Sequence, residues 1–343
     1  MLETNISKVL TVIIPSYNVE PYIRRNLDSI VSVSCLEHIE VIAVNDGSTD
    51  GTLAVIREYE RKYPSSILVI DKPNGHYGSC VNAALAIAKG KYFRILDADD
   101  WFDPKALETF VSALLETDAD LVVTQRVEVT CDAGGHEHEK FFPLKKVEFG
   151  KLYDAKTFLI SAVAEGVEFN MHSMTYKTGV LRAVGLRLPE GICYTDMIYC
   201  LLPIGSINNL VMLDIYLYHY FVGREGSSTT DQSIKRNFAH ICKVLAFMVD
   251  YVQGHPADTD TVRDNQMRWI DEASGFFFAS LRKQAFVRRA DYPYIRAIVS
   301  GWKALGFTSR TYRKYYFRLW LALNTRLSLN LCLCLYRVGH PLK

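Results

Sequence analysis

Between residues 9 and 128, short apolar, β-branched runs alternate with stretches of helical periodicity, and the first four of these runs stop at polar clusters. This pattern restricts the possible folds more than any other feature of the chain. "VLTVII" at 9–14 reads as a strand closed by Pro15, with Ser16, Tyr17 and Asn18 behind it. Ile23, Leu27 and Ile30 then recur at helical spacing across 20–33, which opens with Glu20-Pro21. "IEVIAV" at 39–44 is a second strand and ends in Asn45-Asp46-Gly47-Ser48; Thr49 or Asp50 can cap the helix that runs to about Lys62. "ILVI" at 67–70 is a third strand, followed by Asp71-Lys72, a glycine-rich loop and a helix over 79–89. "KYFRIL" is a fourth strand and meets Asp97, Asp99 and Asp100. Asp103-Pro104 then caps a helix to about Thr117, and "DLVVTQRV" is a fifth strand.

Strands alternating with helices of this length predict an α/β fold, a mostly parallel sheet flanked by helices. In such sheets ligands bind at the carboxyl ends of the strands. Four polar clusters converge on that edge. Three acids within four residues repel one another unless a cation balances them, and hard oxygen ligands suit Mg²⁺ or Mn²⁺.

Composition excludes some alternatives. With 39 basic and 38 acidic residues the net charge is +1, which gives no global basic field for nucleic acid. The eight cysteines form no paired framework and no zinc spacing, as expected of free thiols in a reducing compartment. The first residues, "MLETNISKVLTVIIPSYN", lack the pattern of a signal peptide. No run of 18 uninterrupted apolar residues occurs; the nearest, 319–336, is broken by Asn324, Arg326 and Asn330.

"VIIPSYN" at 12–18, "VNDGSTDGT" at 44–52, "KPNGHYGSCVN" at 72–82 and "ILDADDW" at 95–101 carry a resemblance. In order and spacing they resemble the family 2 glycosyltransferases of GT-A fold, over about residues 1–225. The resemblance implies a Rossmann-like sheet and a nucleotide-sugar donor, with UDP favoured. It places Pro15 and Tyr17 around the base, Asn18 beside them, and Asp46 as acceptor of a base hydrogen bond. It brings Asp97 to the ribose or sugar, Asp99 to the metal on the diphosphate, and Lys72 near the donor. Many members have an arginine where Val81 stands, so that contact is lost or supplied elsewhere.

Sugar transfer also needs a base for the acceptor hydroxyl. In "LPEGICYTDMIYCLLPIG", 188–205, Thr195 can cap a helix with Asp196 in its first turn, and Ile198, Leu201, Leu202 and Ile204 form an apolar face. The resemblance makes Asp196 the general base, although Thr195 replaces the acid that usually precedes it. Following the strand "NNLVMLD", Arg224 and Ser227 match a segment that lines the acceptor side or the diphosphate, where Arg224 could pair a phosphate.

From Asp231 onward the chain reads as helical, over 231–253, 258–287 and 291–305, with a break at Gly254-His255-Pro256. Residues 310–343 hold seven Lys or Arg and no acid, beside aromatic and aliphatic residues; they suit an anionic bilayer surface or a docked helix. Leucines alternate from 327 to 335, as in a strand.

The chain is therefore expected to be an inverting, metal-dependent glycosyltransferase, with a catalytic domain over 1–225 and a helical region over 226–343. A glycan or lipid-linked acceptor, a role in cell-surface polysaccharide synthesis and a cytoplasmic or peripheral membrane location go with that expectation. Two rivals stand beside it. A sugar nucleotidyltransferase would carry a glycine-rich phosphate loop after its first strand, and "PSYNVEPY" has no glycine. An inactive nucleotide-sugar-binding module would have no need of Asp97, Asp99 and Asp196 together.

Overall fold

The computed structural model describes residues 8–132, 134–158, 170–224, 227–255, 260–284 and 287–306. Two compact units divide the chain, Met1–Arg224 and Glu225–Lys343.

Strands β1 (Leu10–Ser16), β2 (Ile39–Asp46), β3 (Ile67–Lys72) and β4 (Tyr92–Ile95) lie side by side in the order β3-β2-β1-β4, all parallel. All eight residues of β2 are buried, as expected of an inner parallel strand covered on both faces. Helices α1 (Glu20–Val31), α2 (Thr52–Lys62), α3 (His76–Ile87) and α4 (Pro104–Glu116) supply the crossovers. Ile23, Leu27 and Ile30 of α1 are buried as their spacing requires. Asp103 caps α4 by accepting the Ala106 N–H at 2.7 Å.

The second half of the sheet is mixed. Strand β5 is Trp101–Phe102, β6 is Leu121–Cys131, β7 is Glu137–Phe142, β8 is Leu152–Asp154, β9 is Met174–Lys177 and β10 is Asn209–Val222. The short β9 runs antiparallel between β4 and β6, and β10 then lies parallel to β6. Parallel pairing continues on both sides of β9, while β5, β7 and β8 pair antiparallel with β10, β6 and β10.

Several local expectations change. Helix α3 begins at His76, three residues before the predicted start, because Gly75 takes the N-cap position and Gly78 falls inside the helix. Gly78 is there for space: a Cβ would collide with the Pro189 carbonyl oxygen. The N-cap of α2 is Gly51, while the Asp50 carboxylate accepts the Thr52 N–H at 3.1 Å and the Glu20 N–H at 3.1 Å, serving two helix starts. This unit also holds the helices α5 (Thr178–Ala183) and α6 (Asp196–Ile204). Thr195 does precede α6, but its hydroxyl makes no capping bond.

In the other unit α7 (Asp231–Arg236) and α8 (Phe238–Gly254) replace the single predicted helix over 231–253, and Asn237 separates them. Helices α9 (Asp260–Lys283) and α10 (Tyr292–Ala304) follow, with Phe238, Phe277 and Trp302 buried among them. Residues 310–343, with the alternating leucines, lie outside the described residues. Among the described residues no helix is long and apolar enough to cross a membrane.

Candidate active site

The carboxyl ends of β1 to β4 meet at one edge, as the alternation requires. At the end of β1, Tyr17 is 51% exposed, a large aromatic left open beside Pro15. Asn18 adopts φ 50° and accepts the Thr49 N–H at 2.8 Å, while its own N–H bonds Ser48 Oγ at 3.1 Å. It ties the end of β1 to the turn after β2. Asp46 closes β2 and is only 3% exposed. Its Oδ1 accepts from the Lys72 ammonium and from the Gly75 N–H at 2.9 Å. Lys72 is therefore an internal partner of Asp46 at the end of β3.

The three acids behind β4 have different environments. Asp100 is 1% exposed; one oxygen accepts the Tyr218 hydroxyl at 2.6 Å and the other the Phe221 N–H at 2.8 Å. It staples β10 to the end of β4, and burial holds its pKa well above the usual carboxylate range. Asp99 pairs with the Arg224 guanidinium, which also lies 5.3 Å from the centre of the Tyr22 ring. Asp97 accepts the Tyr77 hydroxyl at 3.0 Å. Burial, then the negative charges of Asp99 and Asp196, push Asp97 up to about 7.

His172 stands 3.9 Å from Asp97, between the ring of Tyr220, on which it stacks at 4.5 Å, and that of Tyr218. Burial and the cations Arg126 and Arg94 push it down to about 3, so it is a neutral imidazole. Asp97, Asp100 and His172 each offer one donor atom, all within 4.8 Å of one another. Asp99, the acid expected to hold a metal, is outside that group and pairs with Arg224. Carboxylate oxygens with a neutral imidazole fit a divalent cation, although both Asp100 oxygens already accept hydrogen bonds.

Asp196 opens α6, half-buried, and burial raises its pKa. Its charge is felt at Asp97, Tyr77 and Tyr220, so the segment from the second half of the unit does reach the acids of the first. Ile198, Leu201, Leu202 and Ile204 are buried as the apolar face required. Ser227 bonds Thr229 within its own turn.

Three side chains around the acid cluster escape sequence reading. Tyr77 falls in a stretch that reads as a glycine-rich loop, yet it lies in the first turn of α3 and touches Asp97; the histidine-glycine context around it is the available signal. His172 follows the undescribed residues 159–169 with no motif about it. Arg94, inside an apolar strand, is fully buried and donates to Thr175 Oγ1 at 2.6 Å, Thr124 Oγ1 at 3.1 Å and the His172 carbonyl at 2.5 Å. It holds the backbone that presents His172.

Residues 11–172 match the family model "Glycosyl transferase family 2". Glycosyltransferase GlyA of Streptococcus pneumoniae is 37% identical over 114 residues, which are 33% of this chain and 16% of that protein. The chondroitin synthase of Pasteurella multocida is 39% identical over 108 residues, 32% of this chain and 11% of that protein. These matches span well under a quarter of either relative's length. Among solved structures, residues 1–349 of S. aureus TarS with UDP-GlcNAc align over 96% of this chain and 92% of that one, at 20% identity and a TM-score of 0.64. At that identity the likeness concerns the fold, which is the GT-A type expected. The likeness to glycosyl transferase family 2 thus lies in residues 11–172, which run from β1 through β4 and the acids behind it.

Proposed function

We propose that this chain transfers a sugar from a UDP-linked donor to an acceptor hydroxyl, with inversion at the anomeric carbon. The observation that carries the reading is the first turn of α3. Its Gly75 N–H binds Asp46 and its Tyr77 hydroxyl binds Asp97, so one turn links the residue that would meet the base to the one that would meet the sugar. Tyr17 would stack on the base and Asp46 would accept its ring N–H, with Pro15 and Asn18 framing the same end. Lys72 would stay paired with Asp46, or turn to the donor when Asp46 takes up the base. Arg224 would leave Asp99 for the diphosphate, freeing that carboxylate.

Asp97 and Asp99, with His172 beside them, would hold Mg²⁺ or Mn²⁺, and the imidazole favours Mn²⁺ of the two. The bound ion would stabilise charge on the leaving diphosphate. Asp196 would accept the proton of the attacking hydroxyl, and the elevated pKa that burial gives it makes it a stronger base. One displacement with no enzyme nucleophile inverts the centre.

The names of the relatives support a glycan chain as acceptor, since one is a chondroitin synthase, and support cell-surface polysaccharide as the product class. A cytoplasmic chain resting on the inner membrane face through 310–343 completes the reading. The test is a panel of nucleotide sugars with Mn²⁺, read by thermal shift and by hydrolysis, because a bound donor stabilises the fold by mass action. Asp196→Asn should keep UDP affinity and lose turnover. Full turnover in that variant moves the base elsewhere, and a panel without a stabilising nucleotide sugar sinks the reading.

A further inference from the structure

The segment between α5 and α6 leads directly into Asp196, and it is fastened to α3 at successive points. The Asn82 side chain donates to the Leu188 carbonyl at 2.9 Å and accepts the Leu188 N–H at 2.9 Å. One amide thus satisfies both backbone groups of Leu188, as a neighbouring strand would. The same nitrogen reaches Glu190 Oε1 at 3.0 Å. Pro189 lies against Gly78, in the space that a side chain there would fill. The Gly191 N–H donates to the Gly75 carbonyl at 2.8 Å, and Cys193 Sγ is 3.5 Å from His76 Nδ1. Leu188 and Ile192 are buried.

At the end of these ties the backbone is strained. Tyr194 has φ 66°, a left-handed conformation that is rare for a bulky side chain and persists only where the surroundings enforce it. Thr195, next in the chain, is fully buried, and its hydroxyl has no hydrogen-bond partner. At Thr195 the carbonyl, not the hydroxyl, engages the start of α6, accepting the Ile198 and Tyr199 N–H groups at 3.0 and 3.1 Å. Upstream of the turn the segment is restrained as well, and the Asn82 side chain supplies three of the hydrogen bonds there.

We infer that Asn82 is a positioning residue: by clamping 188–190 to α3 it enforces the strained turn at Tyr194 and so fixes where Asp196 stands. The inference rests on the proposed role of Asp196 as base. It also makes α3 the common support of the site, since the same helix binds Asp46, Asp97 and the segment that carries Asp196. Asn82 itself need touch no substrate.

The test uses the full chain with Asn82→Ala and Asn82→Asp. Asp keeps an acceptor for the Leu188 N–H but loses both donor bonds and meets Glu190 as a like charge, so the loss should be graded. Three quantities are read: UDP affinity with Mn²⁺ by calorimetry, kcat for hydrolysis of UDP-N-acetylglucosamine with water as acceptor, and amide hydrogen exchange over 186–196. The expectation for Asn82→Ala is a fall in kcat of about 10- to 100-fold, the scale of a misplaced catalytic group. UDP affinity should stay within about twofold, and exchange over 186–196 should accelerate. Asn82→Asp should lie between the wild type and Asn82→Ala in kcat. An unchanged kcat overturns the inference, and so does a loss of UDP affinity as large as the loss of kcat, which a merely structural role would produce. A wild-type chain that binds UDP but does not turn over speaks against the base assignment instead. Exchange then decides alone, and protection over 186–196 that survives Asn82→Ala overturns the clamp.

Discussion

Replacing Asp97 by Asn should stabilise the metal-free protein at neutral pH and flatten its pH dependence. In the folded chain burial, Asp99 and Asp196 hold Asp97 at about 7, against 3.8 for a free side chain. Between those values the native state binds more protons than the unfolded state, so stability falls as pH rises through the window. Ionising Asp97 in the folded protein therefore costs free energy that Asn does not incur. Integrating the two titrations from pH 5 to pH 8 gives a loss of about 2–3 kcal/mol in the wild type and none at this position in Asp97→Asn. The side chain retains 27% of its surface, so screening by water moves the figure toward the lower end. For a unit of this size that is roughly 5–10 °C in melting temperature. The assay is thermal unfolding of both proteins in EDTA at pH 5 and pH 8. The variant should melt higher at pH 8 and close to wild type at pH 5. Added Mn²⁺ should restore wild-type stability at pH 8, since a bound cation favours the carboxylate. If both proteins lose the same stability between the two pH values, Asp97 is not the strained acid and the electrostatic account of the site fails.

Asp46→Ala should weaken UDP binding about 10- to 150-fold, the scale of one charge-assisted hydrogen bond, while the fold persists; unchanged affinity by calorimetry would leave Asp46 only its bonds to Lys72 and Gly75. Asp99→Ala should remove the Mn²⁺-dependent part of UDP binding, whereas an equal response to Mn²⁺ in mutant and wild type would assign the ion to Asp97 and His172 alone. Deleting 310–343 should spare hydrolysis of a soluble donor and abolish sedimentation with anionic vesicles, an association that high salt should also weaken; an intact chain that never sediments would make the tail a packing element.

The first four strands were legible because each is an apolar run with a polar stop, and burial on both faces leaves no other reading for "IEVIAV". The strands that complete the sheet were not. β9 has only four residues, Met174–Lys177, too few to show a period, and its place between β4 and β6 is set by pairing across more than 50 residues of sequence. β5 is two residues long and exists because β10 runs past it. The sequence places the start of α3 three residues late, because glycine reads as a loop signal. At Gly78 it instead makes room for the backbone of Pro189, a requirement that arises 111 residues later in the chain.

The acid cluster marks the same boundary within the site. "DADD" presents three identical side chains, and the sequence gives no physical reason to separate them. What separates them comes from elsewhere: Tyr218 and the Phe221 N–H claim Asp100, Arg224 claims Asp99, and Tyr77 with His172 surrounds Asp97. Three of these partners lie on β10 or just beyond it, so the strand that closes the sheet also divides the labour among the acids. Asp100 gives both its oxygens to the fold, and Asp99 is held by an ion pair that a phosphate can compete for. Asp97 remains, strained by burial and by its neighbours, as the carboxylate with most to gain from a cation. A cluster that would repel itself apart as an isolated turn is thus stable, because one acid is spent on structure, one is paired and one holds its proton to nearly neutral pH.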